Sequence, residues 1–136
     1  MRIDDLKLLD CTMRDGGYLN GWFFNKKFAR EYLLASVKTG VDVIEIGWRG
    51  TEKFFSREKY GLWRFTEDNL IREVSNGIKL PEIAVMCNFG KIHAEDFAHK
   101  NESPIDIVRI ACSSNVVSQG ISLLGDLKKK GYKVSL

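Results

Sequence analysis

Five short apolar runs recur along the chain, separated by longer segments of mixed polarity. The runs read LKLLDCT (6–12), DVIEIG (42–47), EIAVMCNF (82–89), DIVRIAC (106–112) and YKVSL (132–136). Their density of Val, Ile and Leu is typical of strands that are covered on both faces, as in a parallel sheet. The pattern therefore predicts five parallel strands.

Three of the intervening segments begin with a polar capping residue and end at a glycine, which are the usual boundaries of helices. The predicted helices run from Asn25 to Gly40, from Thr66 to Gly77 and from Ser114 to Gly131. A shorter helix is predicted over 93–101. Alternating strands and helices indicate an α/β fold. Because the chain stops inside the fifth run, we expect the first half of a (β/α)8 barrel, about four and a half βα units. A five-stranded doubly wound sheet is the alternative.

Composition narrows the class of protein. The chain has 136 residues, of which 44% are hydrophobic, and a net charge of +3. No Pro- or Ser-rich linker interrupts it, so we expect residues 1–136 to form part of one domain. The charge is too small to indicate a nucleic-acid partner, and no apolar run is long enough to predict a membrane span. Three cysteines without a CxxC spacing indicate free thiols in a reducing cytoplasm.

The first run leads into DCTMRDGGYLNGW (10–22), which places an arginine and an aspartate before two glycines. This segment resembles the first strand and loop, D-x-T-x-R-D-G, of the HMG-CoA-lyase-like metal-dependent aldolases. GVDVIEIGWRG (40–50), AVMCNFGK (84–91) and IVRIAC (107–112) resemble the second, third and fourth strands of that family. The match is closest to its 4-hydroxy-2-oxovalerate aldolase branch, and it covers the N-terminal portion of the barrel.

The resemblance implies a TIM barrel with a divalent metal at its C-terminal mouth, manganese or magnesium, with zinc or cobalt as alternatives. It also implies that Asp15 is a metal ligand and that Arg14 stabilises an enolate formed from a small 2-oxo acid. Cleaving the bond beta to a ketone leaves negative charge on the enolate oxygen, and a metal and a fixed guanidinium both stabilise that charge. Gly16 and Gly17 are expected to let the backbone turn sharply beneath the ligand.

The sequence departs from the family pattern at two places. Tyr18 stands where many of these aldolases carry a histidine proposed as general base, and we expect Tyr18 to bind substrate instead, because a phenol is a poor base at neutral pH. The family's other two ligands form a His-x-His pair on a late strand. The chain has only His93 and His99, which fit no such pair. We therefore expect a half-site that is inactive by itself, lacks the C-terminal half of the barrel and self-associates into a homo-oligomer.

Two predicted strands each contain a single charged residue within an apolar core, Glu45 in DVIEIG and Arg109 in DIVRIAC. A buried charge is stable only when it is paired, hydrogen-bonded or bound to a metal. We expect both to point into the barrel and to pair, directly or through a ligand; the alternative is that they face outward between helices. The resemblance adds that Glu45 supports the metal site. Asn88, at the end of the third strand, and Lys91 are candidates for substrate contact, or Asn88 for a turn.

A basic and aromatic segment, RGTEKFFSREKYGLWR (49–64), follows the second strand. It is too long for an ordinary βα connection. Because loops at the carboxyl ends of barrel strands lie over the active site, Arg49 is a candidate for binding the anionic group of a substrate. The alternative is that the aromatic residues of the loop pack on the barrel rim or on another subunit.

Three functions are therefore open. The first is a carbon–carbon lyase acting on a 4-hydroxy-2-oxo acid or a similar compound. The second is a Claisen-type synthase of the same family that uses an acyl-CoA, although Gly17 and Tyr18 stand where those synthases usually carry an acidic–Gln pair. The third is a non-catalytic, flavodoxin-like binding domain, and the absence of a GxGxxG or P-loop pattern argues against a nucleotide-binding version.

Overall fold

The computed structural model describes residues 6–136, which form five strands and four α-helices. In chain order these are β1 (Leu9–Asp10), α1 (Thr12–Asn20), α2 (Lys26–Thr39), β2 (Val43–Trp48), α3 (Asp68–Ser75), β3 (Glu82–Asn88), β4 (Ile107–Ala111), α4 (Val117–Lys129) and β5 (Lys133–Ser135). Short 3-10 turns lie at Leu62–Arg64, Ala94–Asp96, Lys100–Glu102 and Ser114–Val116. Among these residues no helix is long and apolar enough to cross a membrane.

All strands pair in parallel, in the order β1-β2-β3-β4-β5. A (β/α)8 barrel has this consecutive order, whereas a flavodoxin-like sheet places its first strand between the second and third. The prediction of parallel strands in the first part of a barrel is confirmed. The flavodoxin-like alternative is wrong.

The two faces of the sheet differ in burial. Ile83, Val85 and Cys87 on β3 are buried in the core, together with helix residues such as Leu33 and Leu127. On the other face, Met86 near the end of β3 and Arg109 on β4 are only partly buried. The carboxyl ends of the strands on this more open face carry the candidate site.

The helix starts were predicted with mixed success. Asn25 caps α2, because its side chain accepts a hydrogen bond from the Phe28 amide at 2.8 Å. Thr66 does not cap α3; its hydroxyl donates instead to the Trp63 carbonyl, and α3 begins at Asp68. Ser114 begins a 3-10 turn, and α4 starts only at Val117.

The helix predicted over 93–101 is replaced by two 3-10 turns. Phe97, between these turns, is 2% exposed and packs against Tyr132 with ring centroids 5.7 Å apart. Burial of this aromatic ring outweighs the weak helical pattern of the segment. His93 and His99 each precede a turn and are exposed.

Candidate active site

Arg14 and Asp15 lie in the first turn of α1, because β1 passes directly into a helix rather than into an open loop. The expected sharp turn at Gly16 and Gly17 is wrong, since both residues are helical. Gly17 is required for a different reason: a Cβ atom there would lie 2.0 Å from the Trp22 ring. The Trp22 indole in turn donates to the Arg14 carbonyl at 2.8 Å, and so fixes the turn that carries Arg14 and Asp15.

Glu45 lies between two arginines from different elements. Its carboxylate is fully buried; Oε1 accepts from Arg14 Nε at 2.6 Å and Oε2 accepts from an Arg109 terminal nitrogen at 2.8 Å. The predicted pairing of Glu45 with Arg109 is therefore present. The outward-facing alternative is wrong for Glu45. This carboxylate ties α1, β2 and β4 together at one point of the sheet.

The guanidinium of Arg14 is held in a fixed position and stays charged. Burial by itself lowers its pKa, but the hydrogen bond and charge of Glu45, together with the charge of Asp15, outweigh burial and leave the pKa raised. The Arg14 side chain retains 13% exposure, and its guanidinium lies 5.7 Å from the Trp48 ring centroid. A fixed, partly exposed cation of this kind can stabilise negative charge on a bound molecule.

Asp15 is more accessible than its neighbours, with 53% of its side chain exposed. One oxygen accepts from Arg14, and the other accepts from the Cys11 thiol at 3.2 Å. Burial, followed by the hydrogen bond to Asp15, raises the pKa of Cys11 and so keeps the thiol protonated. Within residues 6–136 no group of three or more His, Cys, Asp or Glu side chains is arranged to hold a metal. Residues 6–136 therefore do not form a metal site of three or more such ligands by themselves.

Tyr18 and Asn88 border the same region from two sides. Tyr18 on α1 is 65% exposed and stacks edge-on against Trp22 and Trp48, with ring centroids 4.8 and 6.4 Å away. Asn88 ends β3, and its Oδ1 accepts from Arg64 at 3.1 Å. Tyr18 thus contacts Trp48, and Asn88 contacts Arg64; their contact with substrate stays a prediction.

Arg49 has a different environment from the one expected. Its guanidinium donates to the Thr66 carbonyl at 2.8 Å and to the Asp68 carboxylate at 3.0 Å, and it lies 5.4 Å from the Phe97 ring centroid. These contacts hold the start of the 49–64 loop against the start of α3. Binding of an anionic group by Arg49 stays a prediction.

Sequence reasoning missed Arg64, which is 7% exposed at the end of the same loop. Its guanidinium carbon lies between 3.9 and 5.9 Å from the ring centroids of four aromatic residues, Trp22, Trp48, Phe55 and Tyr60. The loop aromatics thus pack on the rim, around this cation. The signal was available: LWRF (62–65) is an apolar run with one charge, the same pattern that identified Glu45 and Arg109.

The 49–64 loop can bring Arg64 over β2 because β2 has a glycine, Gly47, where the loop crosses it. A Cβ atom at Gly47 would lie 2.4 Å from both the Thr66 hydroxyl and the Trp63 carbonyl. The strand register also shifts between Glu45 and Gly47. Close approach of backbone to backbone at this glycine brings Arg64 over the strand end.

Two curated proteins are similar to this chain in sequence. No family model matches the chain. It is 29% identical over 108 residues to 4-hydroxy-2-oxovalerate aldolase 6 of Rhodococcus jostii (strain RHA1), and 29% identical over 116 residues to 4-hydroxy-2-oxovalerate aldolase of Geobacillus genomosp. 3. The chain resembles 4-hydroxy-2-oxovalerate aldolases. The matched segments cover 79% and 84% of this chain, which spans about a third of the length of these curated aldolases (30% and 34%).

A solved structure extends the similarity to three dimensions. The crystal structure of the N-terminal domain of a candidate aldolase from Bacteroides vulgatus superposes with a TM-score of 0.79 at 32% sequence identity. The match covers 95% of this chain and 43% of that one. The resemblance to the N-terminal portion of these aldolases, first seen in the motif at 10–22, is confirmed.

Proposed function

We propose that the chain carries part of the active site of a carbon–carbon lyase that acts on a 4-hydroxy-2-oxo acid or a similar compound. The observation that carries this proposal is the position of Arg14, fixed by buried Glu45 at 2.6 Å yet 13% exposed at the carboxyl ends of the strands. The names of the curated relatives support the reaction class.

In this proposal each residue has a stated role. Arg14 stabilises the negative charge that develops on the enolate oxygen when the carbon–carbon bond breaks. Glu45 is a positioning residue that holds Arg14, with Arg109 as its second partner. Tyr18 and Asn88 contact substrate from α1 and from the end of β3.

A divalent cation is expected from the resemblance, and Asp15 would contribute one of its ligands. The cation would act as a Lewis acid toward the substrate oxygen when bound. Because residues 6–136 hold no group of three or more His, Cys, Asp or Glu ligands, further protein ligands would come from outside them. Manganese and magnesium suit such oxygen ligands, and zinc or cobalt are alternatives.

Manganese binding tests the metal role of Asp15. Calorimetry would compare this chain alone with the chain joined to a C-terminal segment that completes the barrel, each with and without Asp15→Asn. We expect tight binding only in the completed barrel, and its loss in the Asp15→Asn variant. Equal affinity in the Asp15→Asn variant would remove Asp15 from the proposed site. Glu52→Gln, which changes an exposed carboxylate of the 49–64 loop, is the matched control.

A Claisen-type synthase remains the second candidate. It would use an acyl-CoA and would release free CoA when mixed with a 2-oxo acid, whereas the lyase would release a 2-oxo acid from its substrate. Thiol release in the presence of acetyl-CoA and pyruvate would favour the synthase.

Self-association is a further part of the proposal. Within the described sheet β1 pairs only with β2, and β5 pairs only with β4, so one edge of each remains open. Open edges can pair with another chain. Sedimentation velocity should show dimers that increase with concentration; a monomer at every concentration would refute this.

A further inference from the structure

Two cations outside the Arg14–Glu45–Arg109 cluster, Arg64 and Lys91, lie close to the same aromatic ring, that of Phe55. The Arg64 guanidinium carbon lies 3.9 Å from the Phe55 ring centroid, and the Lys91 ammonium lies 5.2 Å from it. Neither cation takes part in the ion pairs found among residues 6–136. Two cations beside the same ring, neither of them paired with a carboxylate among these residues, attract an anion.

Arg64 is also short of hydrogen-bond partners. A guanidinium has five N–H donors, and within residues 6–136 the Arg64 guanidinium donates one hydrogen bond, to Asn88 Oδ1 at 3.1 Å. Burial beneath the aromatic rings lowers its pKa, but an arginine stays charged at neutral pH. Among residues 6–136 the Trp48 indole N–H, in the same cluster, is buried and has no hydrogen-bond partner. The cluster therefore has hydrogen-bond donors to spare.

The bond to Arg64 also orients Asn88. Because arginine can only donate, the Asn88 side chain must turn its oxygen toward Arg64 and its NH2 group away. Asn88 lines a cavity of about 340 Å3 at the ends of β3 and β4, and Lys91 and Ser113 line the same cavity. An anion in this cavity would meet Lys91 and the Asn88 amide directly, with Arg64 behind them.

We propose that Lys91, Asn88 and Arg64 form an oxyanion-binding subsite that takes a carboxylate or phosphate group of a small molecule. This subsite is separate from the Arg14–Glu45–Arg109 cluster and lies beside it at the same end of the sheet. It rests on the proposed function only in that the bound anion would belong to the substrate. Anion binding can be measured without catalysis, so failure of the subsite and failure of the lyase are distinguishable.

Titration of this chain with inorganic phosphate and with pyruvate tests the subsite. Binding would be followed by the side-chain N–H signals of asparagine, arginine and tryptophan in 15N-resolved NMR spectra, at constant ionic strength set with chloride. We expect saturable shifts of the Asn88 NH2 signals and of the Arg64 Nε signal, because Asn88 lines the cavity and accepts from Arg64. Little change is expected at Trp63, whose indole already donates to the Phe24 carbonyl at 3.0 Å. A stronger response to phosphate indicates a phosphorylated ligand, and a stronger response to pyruvate indicates a carboxylate ligand.

Variants assign the binding to these residues. Lys91→Gln changes an exposed side chain and should lower the anion affinity about tenfold, as loss of a charge-assisted contact does. Arg57→Gln is the matched control. Arg57 lies in the 49–64 loop together with Arg64 and contacts an aromatic ring, that of Phe65, but it is already paired with Glu52 and Glu67. It should leave the affinity unchanged.

Arg64→Lys is the second variant and keeps the charge while losing the planar donor group. It should weaken binding and remove the orienting bond to Asn88. The absence of saturable shifts in the unaltered chain would overturn the proposal, whether or not the variants fold. Equal loss of affinity in Arg57→Gln and Lys91→Gln would also overturn it, because it would indicate a general charge effect.

Discussion

Glu45→Gln is the substitution that most directly probes how the site is held together. Glu45 is fully buried and accepts from Arg14 at 2.6 Å and from Arg109 at 2.8 Å. Glutamine keeps the shape but removes the charge, and its NH2 group would face one of the two guanidinium groups, donor against donor. Two arginines would then remain close together without the carboxylate that separates them.

The expected loss follows from the burial of each partner. Removing one member of a buried ion pair costs about 3–5 kcal/mol. The Arg109 side chain is 32% exposed, so water offsets part of that loss, and the lower end applies. We expect the free energy of unfolding to fall by about 3 kcal/mol, which is a large share of the 5–15 kcal/mol that is typical of a domain.

Urea denaturation measures this change. With a typical urea m-value of about 2 kcal/mol per molar, the midpoint should fall by about 1.5 M. Glu82→Gln is the matched control: Glu82 also pairs with two cations, Lys7 and Lys133, but both lysine side chains are 62% exposed. It should cost less than about 1 kcal/mol. Equal losses in the two variants would refute the claim that burial makes Glu45 special.

Three further predictions test the packing and the protonation of the fold. Gly17→Ala should destabilise the protein by about 2 kcal/mol or more because of the clash with Trp22. Gly125→Ala, at an exposed and open helix position, is the control and should be neutral or stabilising; thermal melts measure both variants. Burial raises the pKa of Cys87, so an alkylating reagent at pH 8 should modify this thiol only after unfolding, as read by mass spectrometry; modification in the native state would contradict its burial. Hydrogen bonds from two lysines lower the pKa of Glu82 below 4.5, so its contribution to stability is present above that pH and is lost as the pH falls through the folded-state pKa. Glu82→Gln should therefore reduce the fall in the free energy of unfolding between neutral and acid pH. An unchanged fall would contradict the pairing.

The sequence predicted the sheet well, because its signals are local and strong. Each apolar run became a strand. The α/β alternation by itself allowed both a barrel and a doubly wound sheet, and the consecutive order agrees with the barrel that was expected. The single charges at Glu45 and Arg109 predicted their pairing, since the cost of burying an unpaired charge leaves few alternatives. The resemblance at 10–22 added the reaction class, which periodicity by itself does not supply.

Other features depended on contacts between distant segments. Gly17 is helical and is needed for its contact with Trp22, which no local glycine rule predicts. Arg49 was chosen for its place in the loop, but Asp68 lies close enough to pair with it. Arg64 had a local signal in LWRF (62–65), but its surroundings had none, because its aromatic neighbours Trp48 and Phe55 meet only where Gly47 lets the loop approach β2.

The central claim is that Arg14 stabilises an enolate of a 2-oxo acid. Exchange of the pyruvate methyl protons into D2O measures enolate formation directly and does not require knowledge of the aldehyde product. The assay would use the chain joined to a segment that completes the barrel, with manganese, and would compare it with Arg14→Lys and with Arg57→Gln. We expect exchange that Arg14→Lys lowers about 100-fold or more and that Arg57→Gln leaves unchanged. Exchange at the same rate in the Arg14→Lys variant, or no exchange in the unaltered protein, would contradict the assignment.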